Sequence, residues 1–321
     1  MAHTISITTA SNALGQYCVR FGDRINTTIR QGLEFEAELP KIDCDYAYQG
    51  QDVTISDILQ PYQKAFTPNN TESFDGVLNT LQLGKIDLEF DWEQMENFFD
   101  KWRCNWFEAG KAEDEWTYPR YIMEEVILPK IIEELNTVSW DGEYAAPTPG
   151  TAGALLETFD GFRIKIEDFI TGGDLTPIVV GALVSTTMVA QVRTFCAGLP
   201  SKYRHKKGLI FMSKTNAQMY ADDYQAKFPA RTVTIDMPDK QYLRVDHYNK
   251  MIVGLESMEG SDRFICNFDG LDSMLIGAKK GRPMLPEFRF HVYDRSLHVL
   301  AEIHRFFGFE TLQHVYVSDQ A

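Results

Sequence analysis

Between residues 46 and 91 the chain offers extended stretches with almost nothing local for them to rest on, and this limits what the remainder can build. Lys85-Ile86-Asp87-Leu88-Glu89-Phe90 alternates charged and apolar residues strictly, as a half-buried strand does. Leu81 and Leu83 have the opposite parity, so a bulge or bend at Gly84 is expected to reconcile the two phases. Residues 46–78 carry the turn formers Pro61, Pro68, Asn69, Asn70, Asp75 and Gly76. Together these predict a long projecting hairpin, which buries too little surface to be stable alone in water. The first 45 residues mix Ser/Thr/Asn-rich stretches (Thr8 to Asn12, Asn26 to Thr28) with isolated aromatics, the pattern of an extended arm. The first ninety or so residues are therefore expected to bury their apolar surface on other copies of the chain.

Two helices follow. Met95, Phe98, Phe99, Trp102 and Trp106 recur at three- and four-residue steps between Trp92 and Phe107, an aromatic stripe that reads as core. From about Pro119 to Asn136, Ile122, Met123, Val126, Ile127, Ile131, Ile132 and Leu135 form a second stripe, and Pro129 inside it should kink the helix. Phe159-Asp160-Gly161-Phe162 leads into a stretch with apolar positions to Ile170, closed by a Gly172-Gly173 break. Beyond it the sequence reads as a compact α/β unit. Met188, Val189, Val192, Phe195 and Cys196 mark a helix, and Leu209 to Met212 a buried strand. Ser213 stands as N-cap to a helix bearing Ala217, Tyr220, Tyr224 and Phe228. Further strands are expected around Met251 to Leu255 and Phe264 to Asn267. Phe288, Phe290 and Val292 alternate with Arg289 and His291, and Leu297 to Ile303 and Leu312 to Val317 suggest closing strands.

Charge and composition exclude several classes. The formal charge is -15, and all of the excess lies in residues 51–170, with 9 basic against 24 acidic groups, while residues 171–321 carry 18 and 16. Such a chain repels a polyanion rather than recruiting it. The same asymmetry suits either a solvated acidic face or a head-to-tail contact between copies. Met1 to Gly15 has no basic n-region or apolar h-region, and the longest apolar run, Ile178 to Val184, is far short of a membrane span, so a soluble cytosolic product is expected. Five scattered cysteines without a CxxC pair suggest neither a disulfide framework nor a zinc site. The 40 aromatic rings (21 Phe, 14 Tyr, 5 Trp) require burial within or between subunits.

Catalytic and cofactor motifs are missing. Gly270 to Lys280 lacks the spacing and the Ser or Thr of a phosphate-binding loop, and Gly254 to Gly260 puts two residues on either side of Ser257 where a nucleophile elbow has one. No HExxH occurs, and His298, His304 and His314 share parity without a converging carboxylate, so neither cofactor nor metal is expected. Asp222-Asp223 and the pair Asp43 and Asp45 read as surface acids. The basic run Lys202-Tyr203-Arg204-His205-Lys206-Lys207 suits a charged contact or a solvated loop.

Several stretches resemble, in order, the major capsid proteins of tailed bacteriophages with the Hong Kong 97-type fold, most closely those of phages with Bacteroidetes-type hosts. They are Ile127-Leu128-Pro129-Lys130; Tyr144-Ala145-Ala146-Pro147-Thr148-Pro149-Gly150-Thr151-Ala152-Gly153 leading to Asp160-Gly161; Leu199-Pro200-Ser201-Lys202-Tyr203-Arg204 before Phe211-Met212-Ser213; Tyr220-Ala221-Asp222-Asp223-Tyr224; Val253 to Ser261; and Tyr293-Asp294-Arg295-Ser296. The likeness covers roughly residues 115–317. It implies an α+β fold with an N-terminal arm (1–45), an extended hairpin loop (46–91), a peripheral domain with its spine helix (92–170), an axial domain (171–285) and return strands to the peripheral domain (286–321).

The resemblance implies a shell protein rather than an enzyme. Pentamers and hexamers would enclose double-stranded DNA without sequence-specific binding, in a virion capsid assembled in the host cytoplasm. Portal, accessory and, because the chain begins almost at the arm, separate scaffold proteins are the expected partners. Phe66, Leu81, Leu83, Ile86, Leu88 and Phe90 are the expected hairpin contacts, and Lys202, Arg204, Lys206 and Lys207 the charged contact. Some relatives form a Lys–Asn cross-link; Lys64 and Lys85 lie in the right region, but no partner is identifiable. Two other readings stay open: an encapsulin-like compartment with a protein cargo, and a soluble α/β enzyme with a dispersed site.

Overall fold

A computed structural model describes residues 6–55, 59–67, 72–109, 118–232, 234–237, 240–271, 273–281 and 287–320. Its opening segment is helical, which corrects the expectation of an extended arm. Ser6 caps α1 (Ile7–Arg20), its hydroxyl accepting the Thr9 N–H at 3.1 Å. Ala10, Leu14 and Tyr17 recur at helical spacing and are buried, as are Ile25 and Ile29 in α2 (Gly22–Gly32). Thr8, Thr9, Asn12 and Thr27, which make the segment look extended in sequence, are the solvent face of these helices. The stripe is sparse but sufficient, because it packs against elements distant in sequence. A 3₁₀ turn over Phe35–Ala37 then leads into β1 (Lys41–Cys44).

The hairpin comprises β2 (Ala47–Ile55) and β3 (Glu72–Thr80), paired antiparallel from Ala47 opposite Thr80 to Ile55 opposite Glu72. After Leu81 the chain runs straight into β4 (Gln82–Asp91) and α3 (Trp92–Ala109). No bulge interrupts β4, which holds one register from Gln82 to Asp91. Gly84 is needed for close approach instead: a Cβ there would lie 2.6 Å from Thr158 Cγ2 and 2.7 Å from Phe159 Cζ. Leu83 simply faces outward. In α3, Met95 and Trp102 are buried and Phe98 and Phe99 half-buried; the Trp106 side chain lies outside the described residues.

The spine is continuous through α4 (Tyr118–Tyr121), a π turn (Ile122–Ile127) and α5 (Leu128–Asp141). The Leu128 N–H reaches back five residues to the Met123 carbonyl, so the widened turn falls just ahead of Pro129 and makes room for its ring. Then come α6 (Phe162–Gly172), α7 (Met188–Gly198), the short α8 (Ser201–Arg204), β5 (Gly208–Ser213) and α9 (Lys214–Lys227). Ser213 caps α9, accepting the Asn216 N–H at 3.2 Å. The remaining strands are β6 (Thr234–Met237), β7 (Lys240–Val245), β8 (Lys250–Leu255), β9 (Ile265–Phe268), β10 (Met274–Lys279), β11 (Arg289–Tyr293), β12 (Ser296–Phe309) and β13 (Tyr316–Val317).

Two sheets organise these elements. In the first, β12 is central: β4 lies along one edge, β11 and β10 share the other, and β1 pairs parallel to β10. In the second the order is β13-β9-β5-β8-β7-β6. Two adjustments to the expected layout follow. β10, within the span expected for the axial domain, belongs to the first sheet, and of the expected closing strand Leu312 to Val317 only Tyr316–Val317 pairs, in the second sheet. One core joins the arm helices, the spine, α6 and the inner face of the first sheet; another lies between α7, α9 and the second sheet, around Phe195, Ile210, Tyr220 and Phe264.

Candidate interface surfaces

The β2–β3 hairpin has two chemically different faces. On the inner face, Tyr48 and Gly50 of β2 stand opposite Asn79 and Val77 of β3, with Asp52 two residues further along β2. Asn79 is fully buried and completes the end of β12: its Nδ2 donates to the Phe309 carbonyl at 2.9 Å and its Oδ1 accepts the Phe309 N–H at 3.2 Å. Asp52 accepts the Leu312 N–H at 2.8 Å and the Thr311 hydroxyl, and the Tyr48 hydroxyl donates to Glu310. Burial first, and that carboxylate second, push the Tyr48 phenol up to about 12. A Cβ on Gly50 would sit 2.1 Å from the Glu310 carbonyl oxygen, so only glycine lets the two backbones approach this closely. Replacing Asn79 with Ala leaves the Phe309 amide group unpaired, and the expected cost is about 1–3 kcal/mol. Hydrogen exchange should show faster opening of β2 and β3 with little change in β5 or β8.

The outer face is apolar and open. Val53 and Phe74 are cross-strand partners there, with Ile55 and Leu78 on the same side, and all four are exposed, Phe74 at 68%. Beyond them Leu59, Tyr62 and Phe66 project almost completely, at 94%, 96% and 93%. Large apolar side chains left exposed on an anchored hairpin make this face a candidate association surface.

The residues expected to make hairpin contacts divide accordingly. Phe66 and Leu83 are exposed. Leu81 packs beside Phe306 and Leu275, and Ile86, Leu88 and Phe90 lie half-buried on the chain's own core, Phe90 edge-on to Phe98 at 5.6 Å between centroids. These four, and the buried residues of α1 and α2, find at least part of their cover within their own subunit. β12, two hundred residues away in sequence, gives β4 its partner. Val53, Ile55, Leu59, Tyr62, Phe74 and Leu78 were legible only in part: Val53-Thr54-Ile55 alternates, but the flanking prolines and asparagines read as loop.

The basic run is held in place from beneath. Lys250, buried on β8, donates its ammonium to the carbonyls of Tyr203, at 3.1 Å, and Lys206, and lies 4.8 Å from the Phe268 ring centroid. Burial draws its ammonium below the ordinary lysine range. Arg204 donates to the Ala197 carbonyl at 2.7 Å, at the C-terminal end of α7, and Lys207 pairs with Asp269 at 2.8 Å. Lys202 stays exposed over the Tyr203 ring at 4.5 Å, and Lys206 is half-buried. Arg204 is thus mainly a helix cap, whereas Lys202 and Lys207 present charge to solvent.

Among the described residues no group of three or more His, Cys, Asp or Glu side chains could hold a metal, and no helix is long and apolar enough to cross a membrane.

A spine helix laid across a mixed five-stranded sheet, a hairpin projecting from that sheet and a second α/β unit define the Hong Kong 97-type capsid fold. Among solved structures, the chain is similar to the satellite phage P4 procapsid that includes the size determination protein. There the TM-score is 0.53 at 9% identity, covering 92% of this chain and 98% of that one. The holo-SrpI encapsulin complex of Synechococcus elongatus PCC 7942 is similar at TM-score 0.53 and 7% identity, over 89% and 86% of the two chains. The capsid of an empty GTA particle follows at 0.52 and 9%, over 89% and 96%. No sequence family profile and no curated protein sequence matches the chain.

Proposed function

We propose that this chain is a major capsid protein that self-assembles into pentamers and hexamers of an icosahedral shell around the double-stranded DNA of a tailed phage, of the kind that infects Bacteroidetes-type hosts. The observation that carries the reading is the two-faced hairpin: its inner face is tied to its own subunit by Asn79 and Asp52, while Val53, Phe74 and Leu78 are held out toward solvent. An apolar face held away from its own core buries nothing until another copy covers it. Phe66 and Leu83 extend this contact, and Lys202 and Lys207 supply a charged one. The negative charge concentrated in residues 51–170 would keep enclosed DNA from adhering to an acidic inner wall. Scaffold, portal and accessory proteins are the partners such a shell takes, with assembly in the host cytoplasm.

Electron microscopy of the expressed protein is the test. Closed shells are expected, and a particle that stays near 37 kDa in light scattering at high concentration would overturn the reading. The encapsulin similarity, at the same TM-score as the phage procapsid, favours a second reading, a shell around a protein cargo. A cargo-enzyme gene beside this one, in place of terminase and portal genes, would select it.

A further inference from the structure

The first sheet has three outer strand edges that no described strand pairs with, those of β1, β4 and β11, of which the last two flank β12. Their outward-facing residues differ in charge. On β4 these are Lys85, Asp87, Glu89 and Asp91, which stand opposite Glu302, Leu300, His298 and Ser296 of β12. On β11 they are Arg289, His291 and Tyr293, opposite Leu300, His298 and Ser296. One sheet face therefore grades from acidic at one edge, through His298, to basic at the other. The inward residues at both edges are incompletely covered: Ile86, Leu88 and Phe90 are half-buried, and Val292 is still 39% exposed beside a fully buried Leu297. A shallow cleft of about 50 Å³, lined by Ile86, Ile131, Leu135 and Phe159, lies under the β4 edge.

We infer that β11 of one copy adds to the β4 edge of the next, continuing the sheet across the subunit boundary; this rests on the shell reading and names one of its contacts. Edge-to-edge addition of the five-residue β11 supplies partners for backbone N–H and C=O groups along about half of the ten-residue β4 and extends cover over both inner faces. Charge selects the pairing. β2, β3 and β6 also have unpaired edges, but they carry Asp or Glu and no base, and β1 carries Lys41 with Asp43. β11 is the edge strand with basic groups and no acid. Charge also selects the symmetry. A dyad would set Asp87, Glu89 and Asp91 against their own copies, whereas head-to-tail addition sets them against Arg289 and His291. Both strands run antiparallel to β12, so a copy displaced sideways without inversion brings them together in parallel. A heterologous contact of this kind closes a ring where the rotation between successive copies completes a circle.

Charge reversal tests the contact. Asp87→Lys with Glu89→Lys, or Arg289→Glu with His291→Glu, should each lower the assembled fraction about tenfold or more at physiological salt, and combining all four should restore it. These side chains are exposed, so the thermal midpoint of each monomer should shift little. Glu89→Cys and His291→Cys placed in one chain, on a Cys104→Ser background, should give a ladder of covalent oligomers on oxidation. Within a subunit the two sites are separated by β12, two strand spacings of about 4.8 Å, too far for an internal disulfide. Wild-type shells unaffected by either reversal, or Glu89→Cys alone giving dimers, overturn this contact and leave the shell reading standing. Wild-type protein that never assembles overturns both.

Discussion

Glu36→Gln is expected to destabilise the subunit by about 3–5 kcal/mol, among the largest single-site effects in the chain. Glu36 sits on the 3₁₀ turn after α2 at 5% exposure, and its carboxylate pairs with Arg305, 1% exposed at the centre of β12, while its Oε2 accepts from Lys41 at 3.0 Å. Burial draws the Arg305 guanidinium down to about 9, still above neutral pH, so it stays charged, with the Glu36 carboxylate beside it. Urea unfolding of the unassembled subunit reads the loss as a lower midpoint with an unchanged slope. Removing the charge at both ends, in Glu36→Gln with Arg305→Met, should recover most of it, because the main penalty is the stranded cation rather than the missing attraction. Recovery of nothing would mean that the turn itself, not the pair, holds the segment.

The consequence reaches assembly. Glu34, two residues earlier, accepts the backbone N–H groups of Glu256 and Ser257 at 3.0 and 2.9 Å, and Glu38, two residues later, accepts the Tyr242 hydroxyl at 2.8 Å. Asn136 of the spine binds both the Gly32 carbonyl and the Glu34 N–H. Tyr17 and Arg24 both hold Glu124. The opening helices are thereby fastened to their own spine and to both sheets, and moving them onto a neighbour would strand a buried guanidinium.

Replacing Val53, Phe74 and Leu78 together with Ser is expected to abolish assembly while leaving the subunit folded. At roughly 1.5 kcal/mol for each side chain left uncovered, the low end for such burial, the loss is about 4–5 kcal/mol per contact. That corresponds to roughly a thousandfold rise in the concentration at which shells form. Sedimentation velocity would show monomers where the wild type sediments as particles, and the urea midpoint of the monomer should fall only slightly, through loss of the Val53–Phe74 cross-strand pair, since these side chains lie outside its own core. A fall in monomer stability equal to that of a core mutation would place these residues inside the subunit and remove the association surface.

How much of this was visible in the residues depends on how local each signal is. The stripe of α7, the Ser213 cap of α9 and the alternation of β4 and β11 are short-range periodicities and read directly. The arm read wrongly because its stripe is thin, one buried side chain per turn among Thr, Ser and Asn, and becomes helical only against the core residues it meets. β10 went unread as a strand because Met274 to Lys279 is a short apolar run between turn residues, which periodicity cannot classify. Asn79 and Glu36 carry no sequence mark at all. Their roles come from Phe309 and Arg305, more than two hundred residues downstream.

Residue order alone determined which stretches could be helix or strand, where the negative charge lies and which catalytic signatures are missing, because side-chain period, charge and spacing are properties of neighbours in the chain. Tertiary structure alone decided that β4 rests on β12, that the opening helices bury their own surface and that the outer face of the β2–β3 hairpin and the loop beyond it are left uncovered. The physical reason is that a strand's alternation specifies a face to be buried without naming what will bury it.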